Sequence, residues 1–510
     1  VNIADHAAKA PDSPALFFAE GRVLSYGDLY RRSQQVAGAL HSAGLRRGDA
    51  VALMLPNRPE FLEVSWGCQL SGLYYTPVNT HLTFEEVAYI VEDSEARAVF
   101  IDESMAQLAS RLLDHIPGAG TRIMVGATLP GWLSYDETLD TAGPAPAPTD
   151  GTEMLYSSGT TGRPKAVRRP LPSENGSWAQ SVLELALIHR YGMTDSSVYL
   201  SPAPLYHAAG VNYTMSVNRV GAASVLMRKF DPETVLRLIE QHRVTHAQFV
   251  PTMFVRMLKL PKELREKYDV SSLECVLHAA APCPVDVKHQ MMDWFGPIIH
   301  EYYGGTEGFA GTTIRPDEWL AHPGSVGKPL TVVHVVGQDG EELPPGVPGE
   351  IFFEGGPDFE YFKDPEKTAS VSNEKGWRTL GDVGFVDEEG YLYLTDRSSF
   401  MIVSGGVNIY PQEIENLLVM HPKLADAAVF GIPNDEFGEE VKAVVQPLEG
   451  VEPSRDLASE LIEYCRAHLA GYKCPRSIDF DPWLPRDPNG KLYKRRIRDR
   501  YWHGKTSRIL

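Results

Sequence analysis

The sequence predicts an α/β protein: a large N-terminal domain of parallel-rich β-sheets flanked by helices, and a small α+β C-terminal domain. Three observations predict it. The chain has 510 residues, more than one compact core supports. Strand-like and helix-like stretches alternate early on, and β-α-β order implies parallel sheets with helices on their faces. A self-contained set of strands and helices then follows a break near residue 396.

Each element follows from its pattern. Val51 to Leu55 reads as a buried strand, Pro59 to Leu73 as a helix and Tyr74 to Val78 as a second strand. Thr83 to Asp93 reads as a helix capped by Thr83, with Glu86 three residues on. Ala98 to Ile101 is a third strand, and the Pro- and Ala-rich stretch Thr141 to Gly151 reads as a linker. Tyr391 to Thr395 is a strand that runs into Asp396-Arg397-Ser398-Ser399. Beyond it, strands are expected at Ala427 to Phe430 and Val441 to Val445, and helices at Gln412 to Met420 and Asp456 to Leu469. In the second helix Leu457, Leu461, Ile462, Cys465 and Leu469 share a face. The domains are therefore expected at 1–396 and 397–510.

Composition narrows the function. Apolar residues are 43% and charged residues 23%, an ordinary globular balance. Lys plus Arg number 48 against 67 Asp plus Glu, a formal charge of -19, which argues against nucleic acid or an anionic membrane as the main partner. Five unpatterned cysteines fit reduced thiols and no zinc site. With no leader-like segment and no apolar run near the ~20 residues of a membrane helix, a cytoplasmic protein without integral membrane association is expected, as monomer or homodimer.

The chemistry begins at residues 156–165, Tyr-Ser-Ser-Gly-Thr-Thr-Gly-Arg-Pro-Lys. Gly159 and Gly162 free the backbone to present N–H groups to an anion. Ser157, Ser158, Thr160 and Thr161 add hydroxyl donors, and Lys165 adds a cation. Polyphosphate needs that combination. The Walker A spacing is absent, and on composition alone a solvated Ser/Thr/Gly turn fits equally well.

The decapeptide resembles the signature of the adenylate-forming superfamily, which includes acyl-CoA synthetases, peptide-synthetase adenylation domains and firefly luciferase. Further motifs of that family follow in order across nearly the whole chain. Tyr303-Gly304-Gly305-Thr306-Glu307 is similar to the family's Tyr-Gly-x-Thr-Glu. The resemblance implies that Tyr303 packs on adenine, Thr306 contacts the α-phosphate and Glu307 ligates Mg²⁺. An aromatic face suits a purine, and a carboxylate is a hard ligand. Ala279-Ala280-Ala281-Pro282 resembles the small-residue segment beside adenine, which places Ala280, Ala281 and Pro282 there. Asp382 and Arg397 match the family's two ribose contacts, and a carboxylate can accept both hydroxyls of a cis-diol.

Leu484-Pro485-Arg486-Asp487-Pro488-Asn489-Gly490-Lys491 looks like the family's loop carrying a catalytic lysine. Lys491 would neutralise charge as carboxylate oxygen attacks phosphorus. The cations that follow, Lys494, Arg495, Arg496, Arg498 and Arg500, are expected at the surface or against the CoA phosphates. Family members rotate the small domain between two poses, so the C-terminal domain is expected to be mobile. Gly405 and Gly406, in Ser404 to Pro411, resemble the loop lining a pantetheine tunnel. The pivot position, commonly Asp or Lys in the family, is Ser399 here, followed by Phe400. Pro204-Leu205-Tyr206-His207 resembles the acyl-pocket segment, with His207 at its mouth, and Val211, Gly304, Gly305 and Phe309 are expected nearby.

The resemblance thus implies an acid–thiol ligase. ATP and an apolar carboxylic acid (fatty, alicyclic, aromatic or steroid-like) give acyl-AMP and pyrophosphate, and coenzyme A then takes the acyl group. A free-standing ligase with an amine or carrier-protein acceptor is the alternative. Luciferase-type oxidation would need a luciferin. A catalytically dead nucleotide sensor would be expected to lack Lys491, Glu307 or Asp382, and all three are present.

Overall fold

The computed structural model describes residues 2–19, 21–157, 164–171, 181–397, 400–405, 407–434, 436–486 and 490–502. Its contacts divide it into two compact units. The first comprises Val1–Gln248, Tyr268–Cys275 and Asp358–Ala369; the second comprises Phe249–Lys267, Val276–Pro357 and Ser370–Leu510. The segment from residue 397 onward thus lies in the second unit together with strands from the middle of the chain.

The first unit is built on the predicted β-α-β order. A six-stranded sheet runs Leu133–Ser134, Thr121–Val125, Ala96–Asp102, Ala50–Met54, Tyr74–Pro77, Thr152–Glu153, every pair parallel. Ala50–Met54 is buried at every position, as a strand covered on both faces must be. The helix Phe84–Asp93 starts with the expected capping box: the Thr83 hydroxyl accepts from Glu86 N–H, and the Glu86 carboxylate accepts from Thr83 N–H at 2.8 Å. The helix expected from Pro59 ends early, at Gln69, because Leu73 N–H turns back to the Cys68 carbonyl at 3.1 Å before the next strand.

Thr141 to Gly151 is the irregular connection expected, anchored at its far end. Thr149 bridges to Ser71, and the Gln69 side-chain amide donates to the Gly151 carbonyl at 2.6 Å. In a nine-stranded sheet Val198–Ser201 lies between Ala223–Leu226 and His246–Phe249, with Pro14–Phe18 beyond Ala223–Leu226, these pairs all parallel. A small antiparallel sheet joins Leu155–Ser157, Lys165–Arg168 and Glu360–Tyr361.

In the second unit Cys275–His278 pairs in parallel with Ile299–Gly304, which continues antiparallel to Gly311–Ile314. An antiparallel sheet runs Val332–Val336, Gly349–Glu354, Arg378–Val386, Leu392–Arg397. The C-terminal sheet is built on the long hairpin Leu424–Asn434 and Gly438–Pro447, with Ser477–Phe480 parallel at its side. Helices Pro411–Val419 and Arg455–His468 bury Ile414, Leu418, Leu457, Leu461 and Cys465 in one apolar cluster, the face the sequence marked. Among the described residues, no helix is long and apolar enough to cross a membrane.

Candidate active site

The Ser/Thr/Gly loop is the connection of a hairpin. Leu155–Ser157 and Lys165–Arg168 pair antiparallel with Ser157 opposite Lys165, so the ladder holds both ends of the loop in register. Ser158, Gly159, Thr160, Thr161 and Gly162 lie outside the described residues. Lys165 is engaged by a residue that sequence reasoning missed: its ammonium donates to Asp364 at 2.9 Å. That bond holds the Asp364 carboxyl below its ordinary value.

His207 stands at the N-cap of the helix Ala208–Val220, half-buried, its ring 4.7 Å from that of Tyr206. The loop before it is fixed by Asn57, another residue the sequence did not single out. The buried Asn57 amide donates to the carbonyls of Ala203 at 2.9 Å and Met227 at 2.8 Å, and its oxygen accepts from Leu205 N–H at 2.7 Å. Three satisfied bonds make a buried asparagine a rigid strut. Its partners lie 146 to 170 residues away in sequence, so no local pattern reveals them. Val211 is fully buried on the same helix.

In the second unit, motifs far apart in sequence converge. The register of Arg378–Val386 on Leu392–Arg397 sets Asp382 directly opposite Arg397. On the other side the pairing shifts between Glu350↔Val383 and Phe352↔Thr379, so Leu380, Gly381 and Asp382 form a bulge, a device that re-aims a side chain. Asp382 is buried and accepts a 2.6 Å hydrogen bond from the Tyr303 hydroxyl. The turn after Tyr303 lies against the same bulge: a Cβ on Gly305 would stand 2.5 Å from both the Glu307 carboxylate and Leu380 Cδ2, so any larger residue would displace those side chains. Thr306 and Glu307 are half-buried in that turn, and Phe309 is buried beyond it.

Ala279 to Pro282 leaves the end of Cys275–His278, with Ala281 and Pro282 half-buried. Ala280 is exposed and adopts φ 75°, a left-handed conformation that costs an alanine about 1–2 kcal/mol. Such strain concentrates where shape serves binding.

Behind both segments is a buried ionic cluster absent from the sequence reading. Glu301 and His278 face each other in register across their parallel strands. Lys288, fully buried on the helix Val285–Phe295, donates to Glu301 at 2.8 Å, and His278 Nε2 lies 3.2 Å from the same carboxylate oxygen. Burial alone would push the Glu301 carboxyl up, but its two neighbours hold it down at about 2. Burial lowers the His278 pKa, an effect the neighbouring Glu301 carboxylate opposes.

Lys491 is exposed, next to Gly490 at φ 81°. A Cβ on Gly490 would stand 2.5 Å from Thr252 Oγ1, so the tip seats closely on the first turn of the helix Pro251–Leu258. Lys494 departs from its expected surface position. It is buried and ion-paired to Glu415 at 2.8 Å, and its ammonium lies 5.0 Å from the Phe400 ring centre. Gly405 turns between the hairpin strands Ile402–Ser404 and Val407–Ile409, whereas Gly406 and Ser399 lie outside the described residues. Asp396, one residue before Arg397, accepts from Gln412 N–H at 3.0 Å and so supplies the N-terminal partner of the helix Pro411–Val419.

Comparisons with known proteins identify the family. The family model for AMP-binding enzymes matches residues 3–357, and that for the AMP-binding enzyme C-terminal domain matches residues 413–491. A feruloyl-CoA synthase of Amycolatopsis is 35% identical, over 94% of this chain and 94% of its own. The fatty acid–[acyl-carrier-protein] ligase ScoC of Streptomyces coeruleorubidus is 32% identical, over 99% and 96%. The crystal structure of ATP-bound MatB from Rhodopseudomonas palustris superimposes with a TM-score of 0.82 at 29% identity, over 99% of both chains. The large N-terminal and small C-terminal domains of such enzymes are therefore present, and the chain belongs to the AMP-binding enzyme family of adenylate-forming acid–CoA ligases.

Proposed function

We propose that this chain couples an apolar, aryl-bearing carboxylic acid to coenzyme A through an acyl-adenylate. The observation that carries the reading is the hydrogen bond from Tyr303 to Asp382, together with the register that sets Asp382 opposite Arg397. Tyr303, its hydroxyl tethered to Asp382, offers a fixed face to adenine. Ala280, Ala281 and Pro282 form the ledge beside it, and Asp382 and Arg397 take the ribose hydroxyls. Thr306 meets the α-phosphate, and the loop from Ser157 to Lys165 receives the pyrophosphate portion, with Lys165 exchanging Asp364 for phosphate oxygen.

Glu307 supplies the carboxylate for Mg²⁺, an ion that completes its shell with phosphate oxygens and water and so needs few protein ligands. Bound there, it would offset phosphate charge. The half-buried Glu307 carboxylate, next to the crowded Gly305, fits that task.

In the first half-reaction a carboxylate oxygen attacks the α-phosphorus and the bond to pyrophosphate breaks. Lys491 stabilises the charge of that transition state. In the second, the CoA sulfur attacks the acyl carbon, the thiol proton is lost and AMP departs. Gly405 and Gly406 line the thiol's approach after the domain from residue 397 turns about Ser399. His207 gates the acyl pocket. None of Val211, Gly304, Gly305 and Phe309, the positions the resemblance assigns to the acyl pocket, is an Asp or Lys, which favours an apolar acid, and the feruloyl-CoA synthase relative supports an aryl one.

The test is pyrophosphate exchange with ferulate, phenylacetate, benzoate and octanoate, then product mass after adding CoA, simple amines or holo-acyl carrier protein. Exchange with the aryl acids and a CoA thioester is expected. No exchange with any acid sinks the enzyme reading. An amide or carrier thioester in place of acyl-CoA selects the second reading, which ScoC motivates. Lys491→Ala should cut exchange by about 10² or more, the scale of a lost transition-state contact, and spare thioester formation from preformed acyl-AMP. Equal loss in both steps would contradict the role given to Lys491.

A further inference from the structure

We propose that Arg486 is a positioning residue that aims Lys491 for adenylation, with Asp426 as its anchor. The inference rests on the reading of Lys491 as the lysine of the first half-reaction. The Arg486 guanidinium forks onto Asp426: Nη2 donates to Oδ1 at 2.8 Å, and Nε donates to Oδ2. Its remaining nitrogen, Nη1, donates across the loop to the carbonyl of Gly490, the residue before Lys491. One planar group therefore ties the tip of the loop to a strand.

The rest of the loop is built to the same end. Arg486 bridges to Leu492, and Tyr493 N–H donates to the Pro485 carbonyl at 2.8 Å, closing the loop at its base. Leu484 N–H donates to the Gln446 side chain at 3.1 Å, and Gln446 is the register partner of Asp426. The pairing of Leu424–Asn434 shifts between Leu424 and Asp426, so Ala425 is the extra residue of a bulge immediately before the anchor. Lys259, at the end of the helix Pro251–Leu258, donates to the carbonyls of Val419 at 3.1 Å and of Leu424, securing the same bulge. Beyond the tip, the buried Lys494–Glu415 pair fixes the other side. Two carboxylate–cation pairs thus bracket Lys491 in sequence.

Charge explains why the bracket uses arginine. Asp426 neutralises Arg486, so the guanidinium does not compete with Lys491 for the anionic substrate. A lysine at 486 could reach one oxygen but not hold Asp426 and the Gly490 carbonyl in one plane. Displacing a catalytic group by about 1 Å can cost about 10²-fold in rate.

The test uses the full-length enzyme with an acid it activates. Arg486→Gln should lower kcat for pyrophosphate exchange by about 10-fold or more, with KM for ATP within about 2-fold. Thioester formation from chemically made acyl-AMP and CoA should stay within about 2-fold, and Asp426→Asn should follow the same split. Arg486→Lys should recover part of the loss. Should Arg486→Gln fail to fold, Arg486→Lys decides, with exchange below wild type and thioester formation intact. Unchanged exchange in these variants while Lys491→Ala abolishes it overturns the proposal and leaves the lysine reading intact. Equal loss in both half-reactions makes Arg486 structural only and also overturns it. Full exchange by Lys491→Ala would instead fell the reading beneath it.

Discussion

Lys288 and Lys491 belong to the same compact unit, yet they are held in opposite ways. Lys288 has no solvent exposure; its ammonium is 2.8 Å from Glu301 and 4.5 Å from the Trp319 ring centre. Lys491 is exposed, while its neighbours Leu484, Leu492 and Ile497 pack in a small apolar cluster and Arg486 ties Gly490 to Asp426. The contrast has a physical logic. A buried lysine paired with a carboxylate cannot leave without abandoning a desolvated charge, so it fixes what is built on it. Here that is Tyr303 and the segment Ala279 to Pro282, which continue the strands bearing Glu301 and His278. On the proposed reading Lys491 arrives for one half-reaction and withdraws for the next, a task that suits a side chain at the surface.

The sharpest way to break the comparison is to unseat the buried lysine. Lys288→Met should destabilise the protein by about 3–5 kcal/mol, because Glu301 would be left charged and buried without its ion-pair partner. Denaturant titration of the folded enzyme checks it. The double variant Lys288→Met/Glu301→Gln should recover part of that loss, since no stranded charge remains. A Lys288→Met protein as stable as the parent would show that the cluster fixes nothing.

Acid titration probes the same cluster without mutation. The Glu301 pKa is depressed to about 2 from an ordinary 4.5, so its stabilising contribution is complete above pH 4.5 and is lost as pH falls through 2. His278, lowered by burial, acts in the same direction below its ordinary 6.5, because the unfolded chain takes up that proton first. Stability of the parent should therefore fall from about pH 6.5 downward, more steeply below 4.5. Glu301→Gln should remove the steeper limb, as measured by melting temperature across that range.

How much of this was legible in the sequence divides along the same line. Asp382 and Arg397 were recognisable as motif residues, and pairing of their strands brings them together. The helix face of Leu457, Leu461 and Cys465 and the Thr83 cap were readable because they depend on neighbours within a few residues. Asn57, Asp364 and the Lys288–Glu301–His278 cluster were not, because each takes its meaning from partners distant in sequence or on another element. Lys494 shows the limit most directly. A cation among cations reads as surface, yet it is buried on Glu415, which lies 79 positions earlier and is itself buried.

The smallest expected effect tests whether the adenine ledge is shaped or merely tolerated. Ala280 holds φ 75°, where glycine bears no Cβ penalty. Ala280→Gly should relieve strain of about 1–2 kcal/mol, offset by the glycine's greater freedom in the unfolded chain, for a net gain of about 0.5–1 kcal/mol. If the left-handed turn shapes the ledge for a purine, the same variant should weaken ATP binding, because a freer backbone must be ordered when the nucleotide arrives. A rise in melting temperature together with a raised KM for ATP is the expected pair. A rise in stability with ATP binding unchanged would mean that the rigidity seen at Lys288 stops at His278 and does not extend to the ledge.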